Sequence, residues 1–132
     1  MGEFAGLFGW VIVVCYGLAV LNYVLKFLNR EFGAVIRSNE GVKKYFNMVL
    51  KLIVRYHKVF GFLTALFIIV HFSIVYFTVG IKVTGIIVAI LMLIQIIHGI
   101  DGTKMKKRPK MWLYSHRIIP ILIALAIVIH IL

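Results

Sequence analysis

Acidic residues, cysteine and proline are all scarce in this sequence. There are 4 aspartates and glutamates against 15 lysines and arginines, together with a single cysteine and 2 prolines. Cys15 cannot form an internal disulfide, and the absence of a Cys-x-x-Cys-His sequence excludes covalent attachment of a c-type haem. No acid-base or nucleophilic enzyme site is visible among so few polar side chains.

Long apolar runs dominate what is present. Hydrophobic residues make up 63% of the chain, and the mean hydropathy is +1.06, far above that of a soluble domain. A membrane-spanning helix needs ~20 mostly apolar residues, and four stretches meet that length. They are Phe4 to Leu28, Val59 to Val79, Val83 to Ile100 and Met111 to Leu132. Since nothing substantial remains for a soluble domain, residues 1–132 are predicted to form one transmembrane domain.

The first apolar stretch is predicted to be a retained helix. It is about as long as a full span, follows the acidic Glu3, and lacks a small-residue cleavage site after a short apolar core. A removed signal peptide would have the opposite features.

The basic residues are distributed very unevenly about the spans. Of the 15 lysines and arginines, Lys82 alone falls between the second and third stretches, and all the others flank the first and third connections. This asymmetry follows the positive-inside rule, so both basic connections are predicted to be cytoplasmic and both termini to face outward across the cell membrane. Because topology and contact with anionic lipid account for the charge, nucleic-acid binding is not expected.

The predicted fold is an all-α, up-and-down bundle of four transmembrane helices. Residues 41–56 show helical periodicity, with cations on one face and apolar side chains elsewhere, so an amphipathic cytoplasmic helix is expected before the second span. Whether this helix continues into the second span is left open by periodicity, although no Pro or Gly separates it from His57. Residues 80–82 are predicted to form the outer turn.

Histidines carry the chemistry that this sequence offers. An ionisable side chain within a span is costly and is a candidate functional residue. His57 and His71 are 14 residues apart on the second predicted span, and His116 and His130 are 14 apart on the fourth. Fourteen residues of helix return to within ~40° of the starting direction and rise by ~21 Å. Each helix therefore presents two imidazoles on one face.

The topology sets these histidines at two levels. The second and fourth spans run in the same direction, so His57 is expected level with His116, and His71 level with His130. A facing pair of neutral imidazoles suits a six-coordinate haem iron, which predicts two non-covalent b haems with bis-histidine ligation. Gly61 would let a porphyrin approach the backbone. Three cations beside His57 and His116 in the sequence are expected to pair with haem propionates. The alternative is that these side chains only extend to the membrane interface. The cations are Arg55, Lys58 and Arg117.

Two motifs carry a family resemblance over the second to fourth spans. His57-Lys58-x-x-Gly61 followed by His71, and Ser115-His116-Arg117 followed by His130, resemble the haem-binding helices of the ferric-reductase-like and cytochrome b561-type membrane proteins. The resemblance implies two b haems that pass electrons between a quinol or cytoplasmic donor and an acceptor on the opposite face. The chain has no flavin- or nicotinamide-binding domain, so a self-sufficient NADPH-driven reductase is not expected.

Several alternatives stay open at this point. The chain could be a membrane anchor or electron-transfer subunit of a larger oxidoreductase complex, or a histidine-based proton or metal transporter, although the aliphatic residues between the histidines disfavour a relay. His98 could ligate the haem at the His57/His116 level in place of one of those histidines, bond a propionate or help bind a quinone. An interfacial histidine without a redox role is the alternative. The donor, the acceptor, the direction of electron flow and the oligomeric state are not determined.

Overall fold

The computed structural model describes residues 2–132, which fold into helices joined by short connections. Five helices are present over this range. They are α1 (Gly2–Glu31), α2 (Gly33–Ser38), α3 (Glu40–Thr78), α4 (Val83–Lys104) and α5 (Lys110–Ile131). The prediction of an all-α chain with four long apolar helices is confirmed.

Four of the five helices over residues 2–132 are long and apolar enough to cross a membrane, namely α1, α3, α4 and α5. Between 6% and 17% of the most apolar window of each is buried by protein. The remaining apolar surface needs an apolar solvent, since in water it would oppose folding. The chain is therefore a multi-pass membrane protein.

Helix α3 joins the amphipathic segment to the second span without a break. Its 39 residues correspond to ~58 Å, well beyond the ~30 Å hydrocarbon core of a bilayer. The helix starts where Asn39 Oδ1 accepts a hydrogen bond of 3.1 Å from the N–H of Val42, which caps the first turn. Glu40 lies in this turn, where the helix dipole favours an acid. The continuity left open by the sequence is thus resolved.

Two features differ from the prediction and one agrees. The short helix α2 was not predicted. Helix α4 continues beyond Ile100, where the third predicted stretch ended, through Asp101 and Gly102 to Lys104. Glycine at an internal helical position is tolerated there because Gly102 packs closely under a tryptophan, as described below. The turn between α3 and α4 lies where predicted, and Gly80 adopts a left-handed conformation (φ 90°) that glycine accommodates without strain.

The chain divides into two compact units, which are described separately. The large unit contains the residues up to Trp10 together with Ala65–Leu132, and the small unit contains Val11–Thr64. Within the large unit α4 packs along α5, and the side chains of Met92 and Ile123 are buried. Helices α1 and α3 contribute residues to both units. The expectation of one domain stays a prediction.

Candidate functional site

His71 is held by the first helix within the large unit. Its Nδ1 lies 2.9 Å from the backbone oxygen of Ala5. A carbonyl oxygen can only accept, so Nδ1 must carry the proton and donate it, and Nε2 keeps its lone pair. Gly9 lies beside the same ring, since a Cβ added there would be 3.4 Å from Cε1 of His71.

His57 has the same arrangement within the small unit. Its Nδ1 lies 3.1 Å from the backbone oxygen of Ala19, so it too donates from Nδ1 and presents Nε2 as the nitrogen able to bind a metal. Any backbone carbonyl could accept this hydrogen bond. His57 and His71 have equivalent partners because Ala19 and Ala5 are separated by the same 14 residues as the two histidines.

His130 is held by α4 within the large unit. The hydroxyl oxygen of Thr84 lies 3.0 Å from Nδ1 of His130, and a hydroxyl can accept the Nδ1 proton or donate to it. The backbone approaches the ring closely at Gly85, where an added Cβ would lie 2.9 Å from Cε1 of His130. Any larger residue at position 85 would push the imidazole away.

His116 is contacted by an amide in place of a simple acceptor. Nε2 of Gln95 lies 3.1 Å from Nδ1 of His116 and donates to the His116 backbone oxygen at 3.0 Å. Gly99 faces the ring, with an added Cβ 3.5 Å from Cε1, which is an ordinary contact distance. This histidine therefore has a polar partner on Nδ1, as the other three have, but the partner's chemistry differs.

One of the two predicted histidine pairs lies within a single unit. His71 and His130 both belong to the large unit. His57 belongs to the small unit and His116 to the large unit. Their pairing therefore stays a prediction from the sequence.

The other predicted cofactor-binding residues are close to His57 or His116 in the sequence. A Cβ added at Gly61 would meet no atom within 4 Å, so this helix face has room for a flat group. Arg55 and Lys58 are exposed, and the Arg55 guanidinium lies 5.6 Å from the centre of the Tyr56 ring. Arg117 is exposed as well. Pairing of these cations with propionates stays a prediction.

His98 forms part of an aromatic cluster between α4 and α5. Its Nε2 lies 2.7 Å from the hydroxyl oxygen of Ser115, and its ring stacks on Trp112 with centres 5.1 Å apart. Trp112 donates from Nε1 to the backbone oxygen of His98 at 3.1 Å and also stacks on His116 at 4.7 Å. His98 thus has a packing role beside a predicted ligand, and its redox role stays open.

Sequence reasoning missed the groups that orient the histidines. The partners on Nδ1 come from α1 and α4, and three glycines make room for the rings. A usable signal was present, because Ala5 and Ala19 on α1, like Gly85 and Gly99 on α4, repeat the 14-residue interval. The orienting residues are Ala5, Ala19, Thr84 and Gln95, and the glycines are Gly9, Gly85 and Gly99.

The histidine donor set is of the kind that would suit a haem iron. No group of three His, Cys, Asp or Glu side chains that could hold a metal ion occurs within residues 2–132. A haem iron needs only two protein ligands, since the porphyrin supplies the other four. Metal-ligating histidines almost always donate their second ring N–H to a carbonyl or similar acceptor, as His57 and His71 are arranged to do.

No protein-family model matches this chain, and no curated protein or solved structure is significantly similar to it. The function of this chain is therefore inferred from the geometry of the histidines and from the membrane-spanning helices.

Proposed function

We propose that this chain is a small b-type cytochrome that carries electrons across a membrane through two bis-histidine haems. One observation supports this above the others. All four histidines of the 14-residue register have a polar partner on Nδ1, and the carbonyl partners of His57 and His71 leave Nε2 as the nitrogen that would bind iron. Ordinary interfacial histidines have no reason to share this orientation at four separate positions.

The residues of the chain would act mainly by binding and orientation. When bound, the haems would supply one-electron iron chemistry. The carbonyls of Ala5 and Ala19 fix the tautomer of His71 and His57, and the resulting hydrogen bonds raise the basicity of Nε2. The apolar helices keep water away, and Gly61 and Gly85 leave space beside the backbone. A quinol or a soluble redox protein would exchange electrons at each end, alone or within a larger complex.

Haem content is the direct test of this proposal. The full-length chain, expressed with haem supplied and purified in mild detergent, should show low-spin b-type absorbance. A pyridine haemochrome assay should recover two haems per chain. Purified protein that lacks the low-spin spectrum after incubation with haemin would rule the proposal out.

We also propose that both basic connections face the cytoplasm and both termini face outward. The basis is the charge asymmetry, with Lys82 alone on the outer side. In a Cys15→Ser background, an Ile81→Cys variant should react with a membrane-impermeant maleimide on intact cells. A Ser38→Cys variant should react only after permeabilisation. The reverse pattern would show that the charge asymmetry does not set the orientation here.

A further inference from the structure

The backbone oxygen of His116 lacks its usual helical partner. In an α-helix the N–H of residue i bonds to the carbonyl of residue i−4, and Pro120, inside α5, has no N–H to give. Gln95 reaches across from α4 and donates from Nε2 to this carbonyl at 3.0 Å. The proline therefore creates an acceptor that anchors the Gln95 amide beside His116.

The same amide nitrogen determines where His116 carries its proton. Nε2 of Gln95 lies 3.1 Å from Nδ1 of His116, and an amide nitrogen has hydrogens to give but cannot accept. One amide hydrogen of Gln95 is donated to the His116 carbonyl. The other points to Nδ1 of His116, which must accept it as a hydrogen bond. Neutral His116 is then protonated on Nε2. His57 and His71 have the opposite tautomer, because their carbonyl partners require a proton on Nδ1.

The other end of the amide is left unsatisfied. Oε1 of Gln95 is buried and has no hydrogen-bond partner within residues 2–132. A buried acceptor without a donor has lost its water and has no hydrogen bond in return, which is unfavourable. This oxygen belongs to the same planar amide whose nitrogen contacts Nδ1 of His116. When the amide turns over, Oε1 takes the place of Nε2 and can accept a hydrogen bond from Nδ1.

We propose that Gln95 is a positioning residue that switches the tautomer of His116. In the ligand-free chain its amide nitrogen donates a hydrogen bond to Nδ1. When Nε2 binds a haem iron, the amide turns over so that Oε1 accepts a hydrogen bond from the Nδ1–H. One proton leaves Nε2 and one is taken up on Nδ1, so the net charge is unchanged. The turn breaks the bond to the His116 carbonyl. This inference rests on the proposed function.

The switch makes the two haem sites unequal. Binding at His116 loses the Gln95-to-carbonyl hydrogen bond, whereas His71 already has its proton on Nδ1 and needs no rearrangement. The haem that depends on His116 should therefore bind more weakly than the one that depends on His71 and His130. In a haemin titration the haem that depends on His71 and His130 should be taken up first.

The ligand-free chain tests the first half of the proposal. Full-length protein labelled with ¹⁵N-histidine in detergent micelles should show His116 protonated on Nε2, and His57 and His71 protonated on Nδ1. Pro120→Ala restores the helical N–H to the His116 carbonyl and releases the amide, so the Nδ1–H form should then appear at His116. Wild-type His116 protonated on Nδ1 would overturn the inference.

The haemin-loaded chain tests the second half. Pro120→Ala should tighten the His116-dependent haem roughly tenfold, within the range known for outer-shell partners of metal ligands, and should keep its midpoint potential. Gln95→Leu removes the acceptor, so it should raise the potential of that haem alone. Thr84→Val is the matched control, since it should affect only the haem that depends on His130.

The outcomes separate this inference from the proposed function. Two haems that bind normally but show equal affinities in Pro120→Ala and wild-type protein, with no change of potential in Gln95→Leu, would overturn the switch and leave the cytochrome intact. Failure of the wild-type chain to bind haemin would overturn the proposed function, while the tautomer of His116 would still decide the role of Gln95 in the ligand-free chain.

Discussion

Replacement of His71 by alanine should remove one of the two haems and leave the other in place. His71 donates from Nδ1 to the Ala5 carbonyl, which leaves Nε2 as the nitrogen that would bind iron. Without His71 the haem there would be held through His130 alone and so more weakly, whereas the haem proposed for His57 and His116 would keep both of its histidines. The haem content of the purified variant should fall by half in the pyridine haemochrome assay, with the remaining haem still low-spin.

Two controls make this loss specific. Ser73→Ala changes a residue on the same helix whose hydroxyl bonds only to the Ile69 carbonyl in its own helix, so it should keep both haems. Imidazole added to the His71→Ala protein should restore part of the low-spin signal, because it can occupy the vacated position. Retention of both haems by His71→Ala would refute the proposed pairing of His71 with His130, and loss of both would refute the independence of the two sites.

The spans could be predicted from the sequence because a lipid environment simplifies the problem. Each span must satisfy its backbone internally and present apolar side chains outward, so length and hydropathy suffice. The continuity of α3 through residue 57 was left open for a physical reason. Periodicity describes which residues share a face, and it does not reveal whether a helix bends where it leaves the bilayer. Helix α2 is too short for any periodic signal.

The predicted ligands stand out by residue type, whereas the groups that orient His57 and His71 are marked only by their 14-residue spacing. Histidine is conspicuous inside a span, and the 14-residue interval could be read directly. The partners of His57 and His71 are backbone carbonyls, and every residue has one, so no residue type marks the position. Gln95 and Thr84 could have been noticed as polar residues in an apolar helix. Only the structure shows that each contacts a histidine of α5.

The largest structural effect should come from Gly102→Ala. Gly102 is buried, and a Cβ there would clash with the Trp112 ring. That ring cannot move aside easily, since Nε1 donates to the His98 carbonyl and the indole stacks on His116. Overpacking of this kind costs about 1–3 kcal/mol, which should outweigh the gain of up to about 1 kcal/mol from helix propensity. SDS-induced unfolding of the purified chain would measure the difference.

Two further variants show whether the clash with Trp112 causes the loss of stability in Gly102→Ala. Gly17→Ala on α1 adds a Cβ that meets no atom within 4 Å, so it should be neutral or slightly stabilising. Trp112→Leu in the Gly102→Ala background should recover part of the lost stability, because the clashing ring is gone. Gly102→Ala should also disturb the haem that depends on His116 and spare the one that depends on His71, since the indole stacks on His116. Equal stability of Gly102→Ala and Gly17→Ala would mean that the tryptophan can relax, and that its stack does not fix the imidazole.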